Sequence, residues 1–289
     1  MSPQIPKQKI EQTEGTLYVV ATPIGNLGDI TARALRTLRE VKIIGCEDTR
    51  HTRKLLTHFD IHTPVTSYYR EKEAHKAKFL LEKLLSGDDI AIVSDAGTPA
   101  ISDPGHVLVR IAGEAGIKVV PIPGPSAITT ALSIAGLEDT TFFFGGFPPS
   151  KPKQRRKYFK TISTLPCSVI FYESPHRISS CLKDCLTVFG DRHTFVFREL
   201  TKIHEERLSG PLSQLVDKVK ENPRGEFVFI LTGAKKSATD KPEDLDALLT
   251  WYHEQPDMTL KKAVSSIAAD LDISRSMVYK KALMIWNQN

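Results

Sequence analysis

Short apolar runs of strand length alternate with longer stretches of helical period along most of the chain. The run Gly15-Thr-Leu-Tyr-Val-Val-Ala-Thr22 is rich in β-branched residues and ends at Pro23-Ile-Gly-Asn-Leu-Gly-Asp29, before a helical pattern from Ile30 to Glu40. The unit then repeats. Val41 to Gly45 reads as a strand, a charged segment runs from Glu47 to His58, an amphipathic helix is predicted around Glu71 to Leu85, and Asp89 to Val93 is the next strand. A helix near His106 to Ala115 and a strand from Ile117 to Ile122 follow. Such alternation predicts a mainly parallel sheet with helices on both faces, and ligands that bind beyond the carboxyl ends of its strands.

A second α/β unit is predicted after Pro123-Gly-Pro125, with a helix over Ser126 to Ala135 and strands at Thr140 to Phe144 and Ser168 to Tyr172. A helix from Pro175 to Phe189, a strand from His193 to Phe197, a helix near Pro211 to Lys220 and a last strand from Gly225 to Thr232 complete it. Arg198 to Gly210 is too short for a crossover helix, so this sheet is expected to be mixed. Residues 234–243 turn polar and rich in Lys, Ser, Asp and Pro, as a linker does. Beyond it, Thr259 and Ser274 can each cap a helix, with Leu260, Val264, Ile267 and Leu271 on one inner face and Val278, Ala282 and Ile285 on the other. The pair reads either as a helix-turn-helix or as a hairpin docked on the body. The expected division is a polar tail at residues 1–14, α/β domains at 15–123 and 124–233, a linker at 234–250 and a C-terminal helical domain at 251–289.

Composition narrows the class without naming a function. The chain has 289 residues, 40% hydrophobic and 25% charged, ordinary globular usage with room for several domains. Its first residues carry no apolar core of a signal peptide, and the weakly polar stretch from Val119 to Leu137 is broken by Pro121, Pro123 and Pro125, so no membrane span is expected. Cys46, Cys167, Cys181 and Cys185 show no CxxC spacing, which fits packed, reduced thiols of a cytoplasmic protein and no metal site. The net charge of +5 is compatible with a polyanionic partner.

Absent motifs exclude common chemistries. The sequence has no Gly-x-Gly for a dinucleotide, no P-loop, no Gly-x-Ser-x-Gly elbow and no His-Glu-x-x-His pair. What remains is a set of strand-end loops: Thr22 to Asp29, Cys46-Glu-Asp-Thr-Arg50, Ser94 to Gly105, Ile122-Pro-Gly-Pro-Ser-Ala127, Phe171-Tyr-Glu-Ser-Pro-His-Arg177 and Arg198 to Glu206. In this order they closely resemble the tetrapyrrole-methylase superfamily, and within it the bacterial small-subunit ribosomal RNA cytidine 2′-O-ribose methyltransferases. The resemblance runs from about Gly15 to Gly233 and on through the C-terminal helices. It implies two α/β domains with a cleft between them, S-adenosyl-L-methionine as cofactor, a decoding-centre cytidine usually numbered 1402 as target, and a cytoplasmic homodimer; the partner is small-subunit ribosomal RNA, expected within the assembled subunit, with naked RNA as the alternative.

Carried over residue by residue, the resemblance assigns the cofactor to Pro23, to Asp95, Ala96, Gly97, Thr98 and Ile101, to Ser126 and Ala127, and to Tyr172, Leu200 and Phe227. Tyr172 and Phe227 also suit a core, and Ser126 a helix cap. The narrowest cradle is Ser94 to Ile101, with Pro104 expected in the first turn of the next helix. Two departures stand out. Ser94-Asp-Ala-Gly-Thr-Pro99 replaces the shorter Gly-Asp-Pro loop of most superfamily members, and Ser67-Tyr-Tyr-Arg-Glu-Lys-Glu73 lacks the histidines expected after its first tyrosine.

Methylation of a ribose hydroxyl depends on alignment and on loss of a proton from a weak acid. Glu47, Glu199 and Lys202 are the first candidates for that role, with Asp48, Glu173 and His204 beside them. RNA phosphates are expected on Arg50, Arg53 and Lys54 and on Lys151, Lys153, Arg155, Arg156 and Lys157, the last group read as the tip of a mobile loop. A methylase of a small tetrapyrrole-like substrate and a non-catalytic RNA-binding module are the alternatives.

Overall fold

The computed structural model describes residues 14–69, 73–138, 140–220, 224–234, 244–256, 258–271 and 273–286. Residues 1–13 of the expected tail, most of the expected linker and the turn residue Asp272 lie outside them. Residues 1–234 form one compact unit and residues 235–289 a second.

The first unit starts with β1 (Thr16–Val20), α1 (Ala32–Glu40), β2 (Ile43–Cys46), α2 (Thr49–His58), β3 (Val65–Ser67), α3 (Glu73–Leu85), β4 (Ile90–Val93), α4 (His106–Glu114) and β5 (Lys118–Ile122). These strands form a wholly parallel sheet in the order β3-β2-β4-β1-β5. The short strand β3 is an addition to the sequence reading. Its three residues give too little period to stand out. In the central β4 every residue is buried, and the period of two divides it: Ile90 and Ile92 pack with Leu80, Leu84 and Leu108, while Ala91 and Val93 pack with Ala34, Leu38 and Leu56. Helices therefore cover both faces, as a parallel sheet requires.

The second half continues with α5 (Ala127–Ala135), β6 (Phe142–Phe144), α6 (Pro152–Ile162), β7 (Ser168–Glu173), α7 (Ile178–Phe189), β8 (His193–Arg198), β9 (Glu206–Pro211), α8 (Leu212–Lys220) and β10 (Phe227–Leu231). Its sheet has the order β6-β7-β10-β8-β9 and is mixed: β6 runs parallel to β7, and all other pairs are antiparallel. Alternation splits this sheet too. Val169, Phe171, Phe227 and Phe229 face α6, α7 and α8, whereas Ile170, Val228 and Ile230 face Ile128 and Ala131 of α5. Ile24 from the first half and Leu200 join that second cluster, so apolar packing ties the two halves together beside the loops that end β1 and β8.

Two readings need correction here. The basic run beginning at Lys151 is not a loop tip, because Pro152 opens α6 at its first turn and Phe159 and Ile162 bury its inner face. Pro104 is not inside α4 either. Gly105, at φ 141°, holds the N-cap position, and an added Cβ would lie 3.0 Å from that of Ala100, so only glycine fits the close turn.

The second unit is a three-helix cluster of α9 (Leu245–His253), α10 (Leu260–Asp270) and α11 (Arg275–Trp286) around Leu249, Ala263, Ile267, Val278 and Ala282. The helix α9 starts inside the stretch read as linker, where Asp244 caps it through bonds from the Asp246 and Ala247 N–H groups. Thr259 caps α10 by accepting from Lys262 N–H at 3.4 Å. Among the described residues no helix is long and apolar enough to cross a membrane, and all four cysteines are free thiols.

Candidate active site

The loop after β4 is stitched to two other strand ends. Gly97 and Thr22 exchange backbone hydrogen bonds of 2.9 and 3.0 Å, Thr22 Oγ1 donates to the Ser94 carbonyl, and Thr98 Oγ1 donates to the Pro125 carbonyl at 3.2 Å. Gly97 has φ 79°, and a Cβ there would stand 3.3 Å from Ile24 Cγ2. Ala100 keeps φ 65°, a left-handed conformation that costs a non-glycine residue about 1–3 kcal/mol. The result is a tightly fixed turn. Asp95 is fixed as well, since its Oδ1 accepts the Asp48 N–H at 3.1 Å.

Glu73 secures the far end of this loop. Its buried Oε1 accepts from Gly105 N–H at 2.9 Å, Val107 N–H at 3.3 Å and the Tyr68 hydroxyl at 3.1 Å, so a carboxylate sits where α4 leaves its first amides unbonded. Burial, and then the Glu73 charge, push the Tyr68 phenol far up. The Tyr-Tyr-Arg-Glu-Lys-Glu segment that departs from the family pattern thus contributes support to the loop at its two ends, Tyr68 and Glu73.

Beyond this loop opens a cleft of about 470 Å³. Asp95, Ala96, Gly97, Thr98 and Ile101 line one side, Ser126 and Ala127 open α5 at another, and Tyr172, Leu200, Phe227, Val228 and Ile24 form an apolar wall. All residues expected around the cofactor converge on it except Pro23, which is half-buried off the lining; its neighbour Ile24 takes that place because the turn after β1 points the isoleucine inward. Ser126 occupies the N-cap position of α5 without a side-chain capping bond, so its hydroxyl is not used up by the helix. Tyr172 packs edge-on against Phe144 at 5.1 Å and Phe147 at 5.5 Å. Its phenol is pushed up to about 12, chiefly by burial and then by the Asp103 charge, against the opposing Ile128 N–H; it stays a neutral hydroxyl at neutral pH.

The catalytic candidates divide. Glu47, Asp48, Glu199, Lys202 and His204 are off the cleft lining, whereas Glu173 is on it. Lys202 Nζ lies 2.8 Å from Glu199 Oε1 and 2.9 Å from Glu226 Oε2, and the Glu226 N–H donates to Glu199. Burial works against the Lys202 charge, but these hydrogen bonds outweigh it and raise the ammonium above its ordinary range; the same bonds overcome burial at Glu199 and lower its carboxyl. Both are charged at neutral pH. The pair props up a turn in which Glu199 and Thr201 have φ 52° and 68°, and that turn presents Leu200 to the cleft. Asp48 caps α2 and holds Arg50 at 2.9 Å, which draws its carboxyl down to about 2.

Glu173 ends β7 with its side chain wholly buried. Its Oε1 accepts the Ser174 N–H at 2.8 Å, and Oε2 lies 2.9 Å from Arg177 Nη2, which also donates to the Pro148 carbonyl. The sequence reading of the cleft missed Phe147, Asp103, Ser102 and Glu226, all on the lining. An aromatic set between Gly145-Gly146 and Pro148-Pro149 was the available signal for Phe147.

Among the basic residues, Arg155 must be withdrawn as a phosphate contact. It is 2% exposed, and its Nε donates to Asp184 Oδ2 at 2.8 Å between α6 and α7. Arg156 also reaches Asp184, at 2.9 Å, but stays exposed, as do Lys151, Lys153 and Lys157. On α2, Arg50 and Arg53 are exposed and Lys54 with them.

Residues 16–216 match the family model described as Tetrapyrrole (Corrin/Porphyrin) Methylases. The chain is 46% identical over 280 residues to a protein of Escherichia coli O157:H7 named Ribosomal RNA small subunit methyltransferase I, covering 96% of this chain and 97% of that one. It is 52% identical over 226 residues to a protein of the same name from Xylella fastidiosa strain Temecula1, covering 77% and 83%. Among solved structures, uroporphyrin-III C-methyltransferase from Thermus thermophilus complexed with S-adenyl homocysteine has the same fold, with a TM-score of 0.54, 17% identity and coverage of 75% and 97%.

Proposed function

The chain belongs to the tetrapyrrole methylase family, and from that membership we propose that it is an S-adenosyl-L-methionine-dependent methyltransferase of small-subunit ribosomal RNA. In the finer form of this reading the acceptor is the ribose 2′-hydroxyl of the decoding-centre cytidine 1402. The enzyme acts as a cytoplasmic homodimer on the assembled subunit. The observation that carries the RNA substrate is the 46% identity, over 96% of the chain, to a protein named for that activity.

The cleft suits the cofactor on its own chemistry. An adenosine with a sulfonium-bearing chain needs backbone polar groups, a carboxylate and an apolar wall. The Asp95-to-Ile101 backbone, the oriented Asp95 carboxylate, the Ser126 hydroxyl and the Leu200, Phe227 and Val228 side chains would hold it. The cofactor supplies an electrophilic methyl group. What the chain contributes is alignment of the acceptor oxygen, exclusion of water by the apolar wall, and placement of the acceptor's proton. Of the groups weighed for that last role, Glu173 is the one at the cleft lining, with its buried carboxylate bonded to Ser174 N–H and Arg177, while Lys202, charged and doubly bonded, is a poor proton acceptor.

Two measurements test this reading. Small-subunit particles incubated with the protein and methyl-labelled cofactor should gain label on a cytidine ribose; label on a base, or none, contradicts it. The exposed lysines of α6 give the second. Lys153→Ala with Lys157→Ala should weaken RNA binding and reduce the slope of log affinity against log salt by about 1 to 2, near one for each phosphate that is no longer neutralised. An unchanged slope removes α6 from the RNA surface.

A further inference from the structure

The aliphatic and phenylalanine side chains of the apolar wall are buried, yet two large apolar side chains on the same lining face solvent: Ile101 at 55% and Phe147 at 57% exposure. Ile24, Leu200, Phe227 and Val228 are each 9% exposed or less, so the wall is complete without that pair. The turn that carries Phe147 is held in place by its surroundings. A Cβ on Gly145 would come 2.3 Å from the Phe171 ring, and Gly146 takes φ 63°, so both glycines are required by the turn that carries the ring. The turn is pinned from three sides. Tyr158 hydroxyl donates to the Gly145 carbonyl at 3.3 Å, Tyr172 N–H donates to the Gly146 carbonyl at 3.0 Å, and Arg177, anchored on Glu173, donates to the Pro148 carbonyl. Tyr172 supports the ring edge-on, 60° from its plane. Five residues later α6 begins, with Lys153 and Lys157 exposed.

A solvent-facing aromatic carried on a fixed turn at the rim of the cleft, next to a basic helix, matches one kind of ligand surface: a nucleobase unstacked from its strand and still attached to its phosphates. We infer that Phe147 is the stacking platform for the base of the target nucleotide, with Ile101 as a second apolar contact. The inference rests on the ribosomal RNA reading. It makes Phe147 a positioning residue: holding the base fixes the ribose, and so the direction from which the acceptor oxygen approaches.

The test is steady-state methyl transfer to small-subunit particles by the unaltered protein and by Phe147→Ala, Phe147→Leu and Phe147→Trp, with calorimetry of S-adenosylmethionine binding to each. Phe147→Ala should raise KM for the particle roughly 5- to 100-fold, the loss of one base–aromatic stack, while cofactor affinity stays within about twofold. Phe147→Leu should remain impaired and Phe147→Trp should recover, because stacking needs a ring and not just apolar area. An unchanged KM in Phe147→Ala overturns the inference alone, as does full recovery with leucine or a parallel fall in cofactor affinity. No transfer by the unaltered protein overturns the RNA reading, and this inference with it.

Discussion

Asp95→Ala is expected to weaken S-adenosylmethionine binding by about 10- to 100-fold in calorimetry while leaving the thermal midpoint nearly unchanged. The carboxylate stands on the cleft and is aimed by the Asp48 N–H at 3.1 Å. Hydrogen bonds made by a charged group are worth about 1.5–3 kcal/mol each, and 1.4 kcal/mol is a factor of ten. The fold depends on it far less. The loop keeps its bonds from Thr22, Ser94 and Thr98, and the Asp48 amide, at the half-buried start of α2, loses its acceptor. Equal affinities for Asp95→Ala and the unaltered protein would take the cofactor away from this loop; a collapse of stability would recast Asp95 as a structural residue.

Arg155→Ala should act in the opposite sense, costing stability of about 3–5 kcal/mol. Its guanidinium bridges α6 and α7 through Asp184, and removal leaves a carboxylate that is itself only 8% exposed with Arg156 as its remaining cation. Breaking one side of a buried pair carries that penalty because the surviving charge keeps its desolvation cost. For a unit of this size the thermal midpoint should fall by roughly 6–20 °C. The double variant Arg155→Met with Asp184→Leu should regain most of the loss, since no charge is then stranded. A midpoint within about 2 °C of the unaltered protein in Arg155→Ala would show that the pair does not hold the two helices together.

These two variants mark how far the sequence could be read. Asp95 was legible because a strand followed by Gly, Pro and Asp residues declares a loop with exposed backbone, and because the order of such loops resembles one family. Arg155 was misread for a reason equally physical. Five cations in seven residues look alike in a sequence, and only the helical period, entered at Pro152, turns one of them inward against Asp184. The loop after β8 is a similar case. Glu199 and Lys202 sit in the correct loop, but pair with each other and with Glu226 beside it, while Leu200 between them reaches the cleft.

The sequence by itself determined the two α/β halves, the parallel first sheet and mixed second one, and where the strand-end loops fall. Those follow from hydrophobic period, strand length and turn residues, which are local properties of the chain. Tertiary structure alone decided which side chains those loops present. It placed Ile24 on the lining in place of Pro23, set Glu73 under α4, buried Arg155, and left Phe147 exposed on the rim. Each of these depends on a neighbour tens of residues away, and no local pattern records where that neighbour will stand.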